Sequence, residues 1–117
     1  MKIVKQRHHG DCAICALAMF LNVNYEMIEA LVPKYEAYEG LSGEKILEIA
    51  NMFEEVELKL NESWDKSKPA IVSLPSLNIM DNEHACYWDC KKLWDPSTKL
   101  PYLDLPDRII NAFQRVE

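Results

Sequence analysis

Apolar residues in the first part of the chain recur at helical spacing. The first set follows Asp11 and consists of Ala13, Ile14, Ala16, Leu17, Phe20 and Leu21. Residues three and four positions apart share one face of a helix, and the Asp11 side chain can accept hydrogen bonds from the free N–H groups of a first turn. The pattern therefore predicts a helix that begins at Cys12.

Two more helices are predicted by the same spacing. One covers residues 25–31, with Asn24 as its N-cap and Pro33 just past its end. Its apolar face carries Met27, Ile28 and Leu31. The other begins after Ser42 and holds Glu44 near its positive end. Its inward residues are expected to be Ile46, Leu47, Ile49, Ala50 and Phe53.

The spacing changes after residue 55, where apolar and charged residues begin to alternate. Alternation is typical of a strand with one buried face. The buried face is expected to carry Val56, Leu58 and Leu60. A continuous apolar run over residues 70–74 lies between Pro69 and Pro75 and predicts a core strand.

The last third of the chain predicts a hairpin and a final helix. Residues 84–89 and 92–94 form the arms of the hairpin, which follows a loop over residues 76–83 and turns at Cys90 and Lys91. The helix begins near Pro106, and its apolar residues are Ile109, Ile110 and Phe113. Because helices come first and strands afterwards, we expect an α+β fold with amino-terminal helices packed on a small antiparallel sheet.

Length and charge narrow the possible functions. A chain of 117 residues fits one domain, spanning residues 1–117. Its net charge of -6 leaves no excess of basic residues to neutralise phosphates, so neither nucleic acid nor an anionic membrane is the expected partner. No apolar run approaches membrane-spanning length, and the sequence favours a cytoplasmic protein whose four cysteines are reduced.

Cys12 is the candidate nucleophile. A helix N-terminus stabilises a thiolate, which is the reactive form of cysteine. Thiol catalysis also needs a base and hydrogen-bond donors for the oxyanion that forms on the substrate carbonyl. His84, at the start of a predicted strand, is the candidate base, and the side-chain amide of Gln6 can fold back beside the Cys12 N–H to form an oxyanion hole.

Counting residue pairs across the predicted hairpin identifies a partner for His84. With the turn at residues 90–91, Tyr87 faces Trp94 and Cys86 faces Asp95. Side chains alternate in face along a strand, so His84, Cys86 and Asp95 share one face. Asp95 is therefore expected to orient the His84 ring and to stabilise its protonated form.

A family resemblance rests on six features that occur in a known order. They are Gln6, Asp11-Cys12, Gly40-Leu41-Ser42, Pro69-Ala70-Ile71-Val72, His84 and Asp95-Pro96-Ser97. From Gln6 to about Ser97 the chain resembles the peptidase domain that cleaves double-glycine leaders in bacteriocin-exporting transporters, and its free-standing relatives. The resemblance implies a papain-like fold, a peptide or protein substrate, and a cysteine peptidase that needs no cofactor. Its implied site is Cys12 as nucleophile, His84 as general base, Asp95 as orienting residue and Gln6 in the oxyanion hole.

Two other functions are compatible with the same residues. One is a catalytically inactive module of the same fold that binds a peptide in the cleft. The other is an interaction domain held together by zinc, with His8 or His9 as substitute ligands. Its thiolate ligands would be Cys12, Cys15, Cys86 and Cys90. Cys15, one turn along the first helix from Cys12, is otherwise expected to be a packing residue.

Overall fold

The chain folds as an α+β domain with three helices and a five-stranded antiparallel sheet among its described residues. A computed structural model describes residues 3–7, 10–34, 40–60, 63–75, 83–96 and 111–116. The helices are α1 (Cys12–Leu21), α2 (Tyr25–Glu29) and α3 (Gly43–Asn51). The strands are β1 (Val56–Leu60), β2 (Ala70–Pro75), β3 (Glu83–Trp88), β4 (Leu93–Trp94) and β5 (Asn111–Arg115), in the sheet order β1-β5-β2-β3-β4.

Helix α1 is the central helix of the domain. It packs against α2, α3, β2 and β3, and every residue from Ala13 to Leu21 is buried. Its apolar character on all sides matches this position between other elements. The helix ends at Asn22, whose left-handed backbone (φ 56°) lets its N–H bond back to the carbonyl groups of the last turn.

Both faces of the sheet contribute to hydrophobic cores. Ile71, Tyr87 and Phe113 pack with the helices on one face, whereas Val72 and Cys86 belong to a second cluster on the other. This division follows from the alternation of side chains along β2 and β3, where Ile71 pairs with Tyr87 and Val72 pairs with Cys86. The second cluster also contains Trp64, Ala70, Leu74, Trp88, Leu93 and Ala112.

The predicted helices are confirmed in position but bury fewer residues than expected. Helix α2 stops at Glu29, and residues 30–31 form a turn. Met27 and Leu31 are exposed. Phe53 is exposed as well, because α3 ends at Asn51, before this residue. The Ser42 hydroxyl caps α3 by accepting a hydrogen bond from the Lys45 N–H, whereas the Asn24 side chain makes no such bond at α2.

The predicted strand after residue 55 is present as β1, but its buried face is wrong beyond Val56. Leu58 and Leu60 are exposed at 42% and 61%. Strand β1 lies at the edge of the sheet, and the core beneath the helices reaches Val56 alone among these three residues. The alternating pattern therefore identified the strand correctly and overstated the width of the core.

The expected carboxyl-terminal helix is wrong where the structure describes it. Residues 111–115 form β5, which pairs with both β1 and β2 and so occupies an interior position in the sheet. Phe113 is buried on the helix side and Ala112 on the opposite side. Long-range strand pairing thus overrides the local helical spacing. Pro106, Ile109 and Ile110 lie outside the described residues, as do residues 76–82 of the predicted loop, while Glu83 belongs to β3.

Candidate active site

Cys12 lies at the start of α1 and is the only half-buried residue of an otherwise buried helix. The chain enters this helix through Gly10, whose φ of 95° favours glycine. Partial exposure at the first position of a helix suits a cysteine that meets a ligand from solvent.

Asp11 performs a different task from the predicted helix cap. Its side chain makes no capping bond to α1. Instead it is fully buried, and its Oδ2 accepts hydrogen bonds from the Tyr25 hydroxyl at 2.8 Å and from the Arg7 N–H at 2.9 Å. The expectation of a capping carboxylate was therefore wrong, because the side chain is used to hold the segment before Cys12 against α2.

The predicted hairpin is confirmed, including its register. Tyr87 pairs with Trp94 and Trp88 with Leu93, and the Asp89 N–H bonds to the Lys92 carbonyl at 3.2 Å. This register brings His84 to Asp95 as the residue count predicted. The His84 Nε2 lies 2.6 Å from the Asp95 Oδ1, and the two side chains are 22% and 5% exposed.

His84 links this pair to Cys12. Burial alone would lower the pKa of the imidazole, but hydrogen bonds with Asp95, Cys12 and Cys86 outweigh burial and raise that pKa to about 12. The ring is consequently protonated at neutral pH. The Cys12 thiol is one of these hydrogen-bond partners, so Cys12, His84 and Asp95 form a Cys-His-Asp arrangement around a cationic ring.

Gln6 lies beside the strand end that carries Asp95. Its backbone N–H donates a hydrogen bond to the Pro96 carbonyl at 3.0 Å, and the residue is half-buried. The amino-terminal segment is thereby tied to the residue that follows Asp95. This bond places the Gln6 backbone beside the residue that follows Asp95, and the place of Gln6 in an oxyanion hole stays a prediction.

Cys86 also lies beside His84 and Asp95, although the sequence pattern gave it no catalytic role. Counting across the hairpin put it on the face of His84 and Asp95, and its side chain is indeed fully buried there. Burial raises the pKa of the Cys86 thiol to about 11 against the opposing effect of the His84 hydrogen bond. The hairpin count was therefore the signal that identified Cys86 as a neighbour of both groups.

The four cysteines do not form the alternative thiolate cluster. Cys15 is buried in the helical core, as expected of a packing residue, and the Cys90 sulfur bonds to the Ser67 carbonyl. Within the described ranges, the group of potential metal ligands is His84, Cys86 and Asp95, which contains one cysteine of the four. His8 and His9 lie outside the described residues.

Comparisons with protein-family models, with curated proteins and with solved structures find no match for the chain. No helix in the part of the chain that the structure describes has the length and apolar character needed to cross a membrane. The chemical assignment therefore depends on the geometry of Cys12, His84 and Asp95.

Proposed function

We propose that the protein is a papain-like cysteine peptidase that cleaves a peptide or related acyl bond through Cys12. The observation that carries the proposal is the His84 imidazole, which is paired with Asp95 at 2.6 Å and also interacts with the thiol at the start of α1. A helix-borne cysteine beside a strand-borne histidine also supports the papain-like arrangement, as the resemblance implies.

In the first half of the proposed reaction, the Cys12 thiolate attacks the substrate carbonyl carbon and the carbonyl π electrons move to oxygen. The Gln6 amide and the Cys12 N–H stabilise this oxyanion, and such donors contribute most when they are already in position. When the tetrahedral intermediate collapses, the leaving amine takes a proton from the His84 imidazolium. The product of this half is a thioester on Cys12.

In the second half, His84 is neutral and removes a proton from the attacking water or acceptor amine. The new tetrahedral intermediate collapses, the acyl group leaves as acid or amide, and the Cys12 thiolate and His84 imidazolium are restored. Asp95 keeps the ring oriented in both halves and stabilises its charge. Every step uses residues of this chain and the two substrates, so no cofactor is required.

The proposal is tested with a pool of synthetic peptides analysed by mass spectrometry. The wild-type chain should cleave members of the pool, and Cys12→Ala should abolish cleavage. Cys90→Ala is the matched control, because Cys90 is half-buried like Cys12 but bonds to Ser67 at the hairpin turn. Cleavage that persists unchanged in Cys12→Ala would overturn the proposal.

The same pool separates hydrolysis from simple binding. An inactive peptide-binding module would retain pool members in both wild type and Cys12→Ala and release them uncut.

For an active enzyme, Gln6→Ala should lower kcat by roughly 10²–10³-fold, the usual effect of removing one oxyanion donor. An unchanged kcat in Gln6→Ala would remove Gln6 from the oxyanion hole while leaving Cys12 as nucleophile.

A further inference from the structure

Cys86 is a fully buried thiol that the proposed reaction does not use, although it lies among residues that do. Donor atoms of His84, Cys86 and Asp95 all lie within 4.8 Å of one another. The arrangement follows from the hairpin, because His84 and Cys86 are two residues apart on β3 and Asp95 directly follows β4. Imidazole, thiol and carboxylate thus converge from two adjacent strands.

This donor set matches the chemistry of zinc. Zn²⁺ binds cysteine sulfur, histidine nitrogen and aspartate oxygen in tetrahedral geometry, which places neighbouring donor atoms roughly 3.3–3.8 Å apart. The three donor atoms already lie within 4.8 Å of one another. To bind zinc, the His84 Nε2 and the Asp95 Oδ1, now 2.6 Å apart, must separate by less than about 1 Å more. Mg²⁺ and Ca²⁺ prefer oxygen ligands and do not suit a site with a thiolate.

Three protein ligands leave the fourth tetrahedral position open. Cys12 is a candidate for it, because its thiol is a hydrogen-bond partner of the same His84 ring, and its sulfur is not among the three donors that lie within 4.8 Å of one another. A metal ion held in this way would occupy the proton-transfer group and the nucleophile together. Binding would release the thiol and imidazolium protons to solvent and would involve no change of oxidation state.

We propose that His84, Cys86 and Asp95 form an inhibitory site for zinc or a similar thiophilic divalent cation, with Cys12 as the fourth ligand. The inhibitory effect rests on the proposed function, whereas metal binding does not. Cys86 is the residue that distinguishes this site from a metal ion held by a cysteine-histidine pair alone.

Binding is measured on the reduced full-length chain by titration with Co²⁺ and by competition between Zn²⁺ and a chromophoric chelator. The wild type should bind one ion per chain, and the Co²⁺ form should show a thiolate-to-metal charge-transfer band. Cys86→Ala should weaken zinc binding by at least about tenfold. Cys86→Val serves as a second variant that fills the buried space, and Cys90→Ala is the control that should bind as tightly as the wild type.

Two results would overturn the metal site: a wild-type chain that binds no zinc, or Cys86→Ala and Cys86→Val chains that bind it as tightly as the wild type. Inhibition is measured separately as the zinc concentration that halves each protein's own metal-free cleavage rate, and Cys86→Ala should need at least about tenfold more zinc than the wild type. Mg²⁺ should inhibit neither protein. If the wild type cleaves no peptide but the Co²⁺ band depends on Cys86, the metal site stands and the inhibitory role fails with the hydrolase.

Discussion

At the scale of single residues, the site depends on how His84 is held. Asp95 is almost completely buried and lies 2.6 Å from the ring nitrogen. A buried carboxylate is costly unless it is paired, and removing one member of such a pair leaves the other charge without compensation. Asp95 therefore fixes both the orientation and the protonation of the ring.

Replacing Asp95 by Asn should lower the pKa of His84. The wild-type ring stays protonated through neutral pH, because its hydrogen bonds raise its pKa to about 12, and the variant loses the first of them. Titration of the imidazole proton signals by NMR measures the change, and peptide cleavage should fall by about 10²–10⁴-fold.

Asp89→Asn is the control for this prediction. Asp89 lies on the same hairpin, where its side chain bonds to Trp94 and to the turn rather than to His84. Its variant should leave the His84 titration where it is in the wild type. Equal titration curves for Asp95→Asn and wild type would show that Asp95 does not hold the ring.

At the scale of elements, the hairpin of β3 and β4 brings the site together. Its turn is closed by Asp89, whose Oδ1 accepts hydrogen bonds from the Lys91 and Lys92 N–H groups at 2.8 and 2.7 Å. The next residue, Cys90, has a φ of 81°, which glycine adopts more readily than any residue with a side chain. The turn is thus held by an aspartate in place of the usual glycine.

Cys90→Gly should stabilise the protein by about 0.5–1 kcal/mol, because it relieves the left-handed backbone at the cost of one weak sulfur contact. Lys91→Gly is the matched change at the neighbouring turn residue and should destabilise by a similar amount, since Gly adds unfolded-state freedom without relief of strain. Urea unfolding of both variants checks this. Destabilisation by Cys90→Gly equal to that of Lys91→Gly would contradict it.

Elements set by local sequence could be predicted, and elements set by distant pairing could not. Helix α1 and the register of the hairpin follow from residue spacing and a turn within a few positions. Strand β5 pairs with β1, more than fifty positions earlier along the chain, so its position depends on neighbours that the local pattern does not reveal. Leu58 was misjudged for a related reason, because alternation does not show which strand lies at the sheet edge.

The same distinction applies to the candidate site. The proximity of His84 and Asp95 was predictable because both lie on one hairpin, where counting pairs gives the face of each side chain. The buried bond from Tyr25 to Asp11 was not, because Asp11 had an equally good local partner in the free N–H groups of α1. Only the packing of α2 against α1 decides between these partners.

At the scale of the whole molecule, the site joins the helical part to the sheet. Cys12 comes from α1, His84 and Asp95 come from the hairpin, and α1 packs directly on β3. The bond from Gln6 to Pro96 fastens the amino-terminal segment to the sheet as well. The ionisation of the site is therefore coupled to folding.

The contribution of His84 to stability should consequently fall as pH rises from about 6.5. The folded-state pKa of His84 is raised to about 12, above the value of roughly 6.5 expected in the unfolded chain. Its contribution to stability is fully present below the unfolded pKa and is lost progressively between the two values. From pH 6.5 to 8 this loss is up to about 2 kcal/mol, measured by urea unfolding of a Cys12→Ser chain under reducing conditions.

His84→Gln is the control for the pH dependence, because it keeps a hydrogen-bonding side chain that does not titrate. Both chains carry Cys12→Ser, because a folded Cys12 thiolate would lack a proton that the unfolded thiol keeps, which would offset the His84 contribution. The free energy of unfolding of the His84→Gln chain should decline less than that of the chain with His84 over the same range. Parallel declines in both proteins would contradict the charged state assigned to His84.

The reactivity of Cys12 toward iodoacetamide tests the charged Cys-His-Asp site most directly, with each cysteine followed by peptide mass spectrometry from pH 5 to 8. At pH 5.5 Cys12 should be alkylated at least about tenfold faster than Cys90, whose thiol is only partly buried and whose pKa is raised by burial. His84→Gln should remove this advantage by removing the adjacent cation. A Cys12 that reacts no faster than Cys90 at pH 5.5, with or without His84, would show that the site does not activate its thiol.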